Sequence, residues 1–209
     1  MTRTWQWVIA AVALVSVVVL WRYWFWAPVT TAILVRHAEK GAVGANPNLT
    51  AAGLARADDL SQALRLGGVG AVYATDFCRT AQTAQPTALV VGLPIRIQVV
   101  GTGASALANC TPAISASTLL RATASDYANE LAAHLQSAHR GATVLVVGHS
   151  DTTPALLEAL GGASLCPGTF PTIGGACHIP PTEFDNVFVV SIPRLGATRY
   201  LHLRYGAPN

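Results

Sequence analysis

Two short apolar runs lie far apart in the chain: Thr31-Ala32-Ile33-Leu34-Val35 and Thr143-Val144-Leu145-Val146-Val147. Each leads within two residues into a histidine. Strands this apolar expose no polar face, so they must be covered on both sides, as in a largely parallel sheet between helix layers. The first run continues into Arg36-His37-Ala38-Glu39-Lys40 and the second into Gly148-His149-Ser150-Asp151. Both polar clusters therefore leave the carboxyl edge of a sheet, where open α/β folds bind ligands.

The rest of the chain alternates accordingly. A strand is expected over 31–36, then a loop over 41–48, then a helix from a Thr50 cap to about residue 66 with Leu54, Ala57, Leu60, Ala63 and Leu64 on its apolar stripe. Gly67-Gly68 ends it. Strands follow over 69–74 and 95–99, with a helix over 79–91 between them. Residues 101–118 read as a small-residue loop. A helix over 125–138, a strand over 143–147 and a helix over 152–160 come next. Residues 166–181 read as a Gly/Pro-rich insertion, and strands over 187–192 and 199–203 close the chain as a hairpin. The pattern predicts an α/β three-layer sandwich with a mostly parallel central sheet.

Between the two histidine-bearing strands, Asp76-Phe77-Cys78-Arg79-Thr80 follows a third strand and brings a second arginine to the same edge. Two His and two Arg converging on one point describe a phosphate site that contains a nucleophile. The segments VRHAEK, LTAAGLARA, YATDFCRTAQTAQP and VVGHSDTTP, in this order, resemble the histidine phosphatase superfamily, phosphoglycerate-mutase-like branch, from about residue 31 to the C-terminus. The resemblance implies that His37 is the nucleophile, that Arg36 and Arg79 clamp phosphate oxygens and that His149 donates to another oxygen. Neutral imidazole attacking phosphorus forms a phosphoramidate that water later hydrolyses. Planar guanidinium forks suit the equatorial oxygens. Two Arg and one imidazolium supply the charge, so no metal and no cofactor is expected.

The proton donor for the leaving group is where the chain departs from that family. Many relatives take a carboxylate from the segment after the third strand, and residues 101–124 contain none. The candidates are Glu39 and Asp151, each two residues beyond a histidine. Glu39 has an alternative as the partner of Lys40 or a nearby arginine. Asp151 has one as a helix N-terminal residue. His134 and His139 are expected at the surface, and His178 and His202 have no motif support.

Ahead of the α/β domain stands an apolar segment over residues 5–26, interrupted only by Gln6, Ser16 and Arg22. As a helix it spans about 30 Å, the thickness of a bilayer's hydrocarbon core. All five tryptophans sit at its two ends, Trp5 and Trp7 against Trp21, Trp24 and Trp26, an aromatic-belt arrangement. No small-x-small cleavage site follows it, so a retained single-pass anchor over 1–28 and a histidine phosphatase-like domain over 29–209 are expected. Arg3 and the amino terminus favour an inside start, which Arg22 partly offsets. The four cysteines, Cys78, Cys110, Cys166 and Cys177, all lie outside the anchor, an even number that suits an oxidising compartment. A short Gly/Pro-rich insertion with little core favours Cys166–Cys177, and Cys78–Cys110 follows by elimination among three possible pairings. No CxxC or His/Cys cluster has zinc-ligand spacing.

Setting aside Arg3 and Arg22 leaves 11 basic residues against 10 acidic ones, a balance that argues against a nucleic-acid partner. The expected protein is a membrane-tethered phosphatase in the cytoplasmic (inner) membrane, with a periplasmic or otherwise extracytoplasmic domain. Its expected partner is a small-molecule or envelope-associated phosphate ester. The alternatives are a non-catalytic phosphate- or phosphoglycan-binding module, and a phosphohistidine-protein phosphatase should the domain be cytoplasmic.

Overall fold

The computed structural model describes residues 3–25, 28–100, 104–115, 117–121 and 126–206. Its elements in chain order are α1 (Arg3–Phe25), β1 (Thr30–Arg36), α2 (Ala51–Leu64), β2 (Val69–Thr75), α3 (Cys78–Val91), β3 (Ile95–Gln98), a 3-10 helix (Ala104–Asn109), β4 (Ser117–Arg121), α4 (Tyr127–Ala138), β5 (Thr143–Gly148), α5 (Thr152–Ala159), β6 (Thr172–Ile173), β7 (Ala176–Cys177), β8 (Asn186–Ile192) and β9 (Arg199–Arg204). The seven-stranded sheet has the order β4-β3-β2-β5-β1-β8-β9, and β6 and β7 form a small separate ladder. The first five strands in that order run parallel; β8 and β9 extend the sheet antiparallel as a hairpin.

Strand alternation sorts the core into two halves. One face of the sheet presents Ala32, Leu34, Tyr73, Val144, Val146 and Phe188 to Leu131 and Leu135 of α4 and Leu156 and Leu157 of α5. The other presents Ile33, Val35, Val72, Ile95, Ile97, Leu145 and Val147 to Leu60 of α2 and Ala81, Ala84 and Ala88 of α3. Residues adjacent in sequence thus point to opposite helix layers, which is why the central strands carry no polar face. Each fully buried Leu or Ile of these layers contributes about 1.5–3 kcal/mol. The small side chains of α3 let it lie close to the sheet, and it stops at Gly92, whose φ of 68° forms a left-handed cap.

α2 shows how the local sequence fixes a helix against the first motif. Thr50 caps it, its Oγ1 accepting from Gly53 N at 3.1 Å, while Thr50 N donates to Glu39 O at 2.9 Å. A Cβ on Gly53 would run into the carbonyl oxygen of Glu39. Only glycine lets the helix press on the backbone that carries the Arg-His motif.

The stretch expected as a loop over 101–118 holds more structure than its composition suggests. It contains the 3-10 helix and the start of the edge strand β4, which pairs with β3 alone. Five residues paired on one side carry too little alternation to stand out among small residues. Both disulfides, Cys78–Cys110 and Cys166–Cys177, are formed, with Cα–Cα distances of 5.3 and 5.6 Å. An 18-residue window within the helix α1 has a mean hydropathy of 1.9 and none of it is buried, so it is not a core helix of the domain. Those properties fit a membrane span and a signal sequence alike.

Candidate active site

β1 and β5 are neighbours, and their register pairs Arg36 with Gly148. His37 and His149 therefore leave the sheet side by side, with His37 N donating to Gly148 O at 2.9 Å and ring centroids 5.5 Å apart. β2 flanks β5 on its other side and delivers Thr75, Asp76 and, at the start of α3, Arg79. A cavity of about 410 Å³ opens at this edge, lined by Arg36, His37, Lys40, Phe77, Arg79, Val100, His149, Ser150, Asp151, Thr152 and His178.

His37 is buried, and its Nδ1 lies 2.7 Å from the carbonyl oxygen of Ala38. A carbonyl only accepts, so Nδ1 carries the proton and Nε2 holds the free lone pair. Ala38 is itself held by Thr83, whose Oγ1 accepts from Ala38 N at 3.0 Å and donates to Arg79 O at 2.7 Å. The same threonine thus joins the turn after β1 to the helix that carries the second arginine. Burial, and then the charges of His149, Arg36 and Arg79, pull the pKa of His37 down to about 2. Its imidazole is neutral across the physiological range and ready to act as a nucleophile.

His149 is oriented by a chain of hydroxyls. Thr80 Oγ1 donates to the carbonyls of Phe77 at 2.8 Å and Thr75 at 3.0 Å, so its hydrogen is spent. Thr75 Oγ1, 2.9 Å away, must then donate to Thr80 and accept from His149 Nε2 at 2.8 Å. The Nε2–H of His149 is therefore committed to the protein, and Nδ1 is the ring atom left to meet a ligand. Burial, followed by Arg79, lowers the pKa of His149 to about 4 against the opposing pull of Asp151 and Asp76. An incoming anion would offset the two arginines and favour the imidazolium. Gly148 has to be small for this turn: a Cβ there would sit 2.8 Å from Thr152 Oγ1 and 2.9 Å from Thr153 Oγ1. Thr152 Oγ1 in turn accepts from His149 N at 2.7 Å.

Arg36 is anchored from the far side. Its Nη1 donates to Pro180 O at 2.7 Å and Glu183 O at 3.0 Å, and its guanidinium lies 4.4 Å over the Phe184 ring. Arg79 stacks in the same way 4.4 Å over Phe77, whose ring also meets His149 edge-on at 5.1 Å. Aromatic planes hold both forks in fixed orientations. The Nε atoms of Arg36 and Arg79 are buried without a hydrogen-bond partner among the described residues. Burial and the other arginine lower the Arg36 pKa to about 10, and burial lowers that of Arg79. Two cations pressed together with unpaired donors form a site for a doubly charged anion.

The structure brings Arg36, His37, Arg79, His149 and Asp151 to one cavity. Glu39 is turned away from it. Its carboxylate receives Arg56 Nε at 2.9 and 3.0 Å and Arg56 Nη2 at 2.7 Å, a fork-on-carboxylate pair that ties the first motif to α2. With both oxygens held by the buried Arg56 guanidinium, Glu39 is a structural partner in this geometry. Asp151 lines the cavity from the N-terminus of α5, where its Oδ1 accepts from Thr152 N at 2.9 Å.

His178 joins the cavity although no motif points to it. The insertion places it: Cys177 is bonded to Cys166, His178 N donates to Pro171 O at 3.0 Å, and Ile179 N donates to Ser150 O at 2.8 Å. A cysteine pair bracketing a short insertion that ends in a histidine was the available signal. His134 and His139 are half-buried rather than at the surface; their Nε2 atoms lie 3.0 and 2.6 Å from the hydroxyl of the buried Tyr73. His202 stacks on Phe188 with centroids 4.5 Å apart, away from the site.

Residues 32–99 match the histidine phosphatase superfamily, branch 1. The matched stretch carries Arg36, His37 and Arg79; His149 and Asp151 lie beyond it. Solved structures described as phosphatases resemble this chain over most of its length. A mycobacterial glucosyl-3-phosphoglycerate phosphatase aligns with a TM-score of 0.56 at 16% identity, over 86% of this chain and 100% of its own. The ecdysone phosphate phosphatase of Bombix mori, in complex with tungstate, aligns at 0.52 and 14% identity, over 77% and 88%. A SixA protein of Nakamurella multipartitia, described as a phosphohistidine phosphatase, aligns at 0.50 and 22%, over 87% and 99%. At these identities the likeness speaks for the shared fold. No curated protein sequence matches the chain.

Proposed function

We propose that the chain is a phosphatase that hydrolyses a phosphomonoester through a phosphohistidine on His37. The observation that carries this reading is the neutral, buried imidazole with a free Nε2, facing a cavity with two arginines whose buried Nε–H groups are unpaired. The phosphoryl group sits between the two forks, and His149, protonated when the dianion is present, donates from Nδ1. His37 Nε2 attacks phosphorus in line while the ester P–O bond breaks. The leaving alkoxide takes its proton from Asp151, the carboxyl group that lines the cavity. Water then gives a proton back to Asp151 and attacks phosphorus, the P–N bond breaks, and inorganic phosphate leaves with His37 restored.

The α1 segment supports a tether: a helix of 23 residues, exposed along residues 3–23. Two disulfides support a domain in an oxidising, extracytoplasmic compartment. A cytoplasmic domain would instead favour phosphohistidine on a protein as the substrate.

Rapid quench of the full-length protein with a labelled aryl phosphate tests the central step. Expected is an acid-labile, base-stable phosphoenzyme that is absent from His37→Ala. Full turnover by that variant excludes the mechanism. Phosphate binding by wild type without turnover leaves only a phosphate-binding module.

A further inference from the structure

A second cavity, of about 510 Å³, opens at the amino edge of the sheet, where the chain passes from α1 into β1. Three parts of the chain meet around it. Pro28 leads into β1, Gln136 and Arg140 belong to the end of α4 and its turn into β5, and Arg194 and Thr198 to the loop between β8 and β9. Backbone contacts fix the arrangement. Thr30 Oγ1 donates to His139 O at 3.0 Å and accepts from Gly141 N at 3.1 Å, which ties the turn that carries Arg140 to the first residue of β1. Gly141, at a φ of 75°, lets Pro28 lie against this turn: a Cβ there would stand 2.6 Å from Pro28 Cβ. In the β8–β9 loop, Thr198 Oγ1 donates to Leu160 O at 2.7 Å. The guanidinium of Arg194 lies 4.4 Å over the ring of Tyr23, near the end of α1.

Both arginines keep donors to spare. Among the described residues Arg194 makes no hydrogen bond or ion pair, and Arg140 makes one, from Nε to Gln136 O at 3.4 Å, which leaves both of its Nη groups free. No carboxylate lines the cavity among the described residues. The surroundings carry the same sign. The segments at this edge, residues 28–29, 65–68, 92–94, 139–142 and 193–198, contain Arg65, Arg140 and Arg194 and none of the chain's 10 acidic residues. They also expose Val29, Leu66 and Leu195. Guanidinium groups beside exposed apolar side chains suit the boundary between lipid headgroups and acyl chains. The apolar helix α1 ends at the same place.

We propose that this cavity holds the phosphate headgroup of an anionic phospholipid between Arg140 and Arg194, so that the domain stands on the bilayer by its amino edge. The proposal rests on the reading of α1 as a membrane span. It sets the catalytic cavity about 20 Å from the bilayer surface, the length of the seven-residue strand β1 at about 3.3 Å per residue. The bound lipid is therefore a ligand and not the substrate. Native mass spectrometry of the full-length protein from a neutral detergent tests this, with phosphatidylglycerol and phosphatidylcholine of equal chain length added in equal amounts. Expected is one retained phosphatidylglycerol, preferred about 25-fold over phosphatidylcholine, from two guanidinium groups at about fivefold each. Arg140→Gln or Arg194→Gln lowers the preference to about fivefold, and the double variant brings it to about 1. Arg140→Lys/Arg194→Lys keeps most of it, since an ammonium still supplies the charge. Arg65→Gln, which removes a charge from the same edge outside the cavity, leaves it unchanged. An unchanged Tm shows that each variant is folded. A wild-type preference near 1 overturns the proposal. So does an equal loss in Arg65→Gln, which means attraction spread over the whole edge. Displacement of the lipid by an equal concentration of glycerophosphoglycerol also overturns it, because the site is then one for a soluble phosphodiester. Alkaline extraction of membranes reads the tether by itself. A protein released by it has no span, whatever its lipid preference; a protein retained with a preference near 1 fails this proposal alone.

Discussion

A single hydroxyl decides which nitrogen of His149 faces the ligand. Thr80 spends its hydrogen on carbonyls, Thr75 spends its own on Thr80, and His149 is left to donate Nε2–H to Thr75. Thr75→Val removes that acceptor while keeping the shape of the strand. The imidazolium then loses a partner that the neutral ring can do without, so its pKa falls further. Turnover should drop about tenfold, the cost of roughly 1–1.5 kcal/mol for one buried hydrogen bond. The alkaline limb of the rate profile should move to lower pH, and Thr75→Ser should restore both. An unmoved limb in the valine variant would mean that Thr75 only packs. Arg36, His37 and His149 were legible because each stands one or two positions past an apolar run, and Arg79 because its motif follows the third strand. Thr75 and His178 were not. The first acts through a tautomer, and the second is placed by a disulfide and two backbone hydrogen bonds rather than by any local pattern.

The elements that position the site are held by close approach as much as by burial. α2 touches the first motif twice, through the Thr50–Glu39 backbone hydrogen bond and through the Arg56–Glu39 ion pair. Gly53 is the point of contact. Gly53→Ala places a methyl group on the Glu39 carbonyl, so the helix or the motif has to shift. The intrinsic gain in helix propensity, about 1 kcal/mol, is smaller than the overpacking cost of about 1–3 kcal/mol. Net destabilisation and a loss of activity larger than that of an exposed change such as Ala52→Gly are expected; chemical denaturation and an aryl phosphate assay read both. A more stable variant with intact activity would show that the contact is soft. At this scale the helices and the buried strands could be read from their periods. The edge strand β4 could not, since its sequence, Ser117-Thr118-Leu119-Leu120-Arg121, carries no alternation. Glu39 was legible as a charged residue near His37, but its direction was set by Arg56, a residue of α2 seventeen positions away.

Across the whole molecule, the fold stores two neutral histidines among arginines, and this ties its stability to pH. In the unfolded chain His37 and His149 titrate near the ordinary 6.5; in the folded protein their pKa values are about 2 and about 4. Both are depressed. Above pH 6.5 neither form binds the proton and the two histidines contribute no pH dependence. Below it the unfolded chain takes up protons that the folded protein refuses, so stability falls as the pH drops. His149 acts down to about pH 4, and His37 continues toward about pH 2. Heating curves of the ligand-free protein between pH 7 and 4 should therefore show a steep fall in Tm. The variant His37→Asn/His149→Asn should show a shallower one. His139 and His202, whose pKa values burial also lowers, are present in both proteins and cancel in the comparison. A saturating phosphate analogue such as tungstate should flatten the wild-type curve near pH 5–6, because the anion stabilises the His149 imidazolium and lets the folded state take up its proton. Parallel curves for wild type and the double variant would show that the two imidazoles are not held neutral by the fold. The charge-based account of nucleophile and donor would then fail with them.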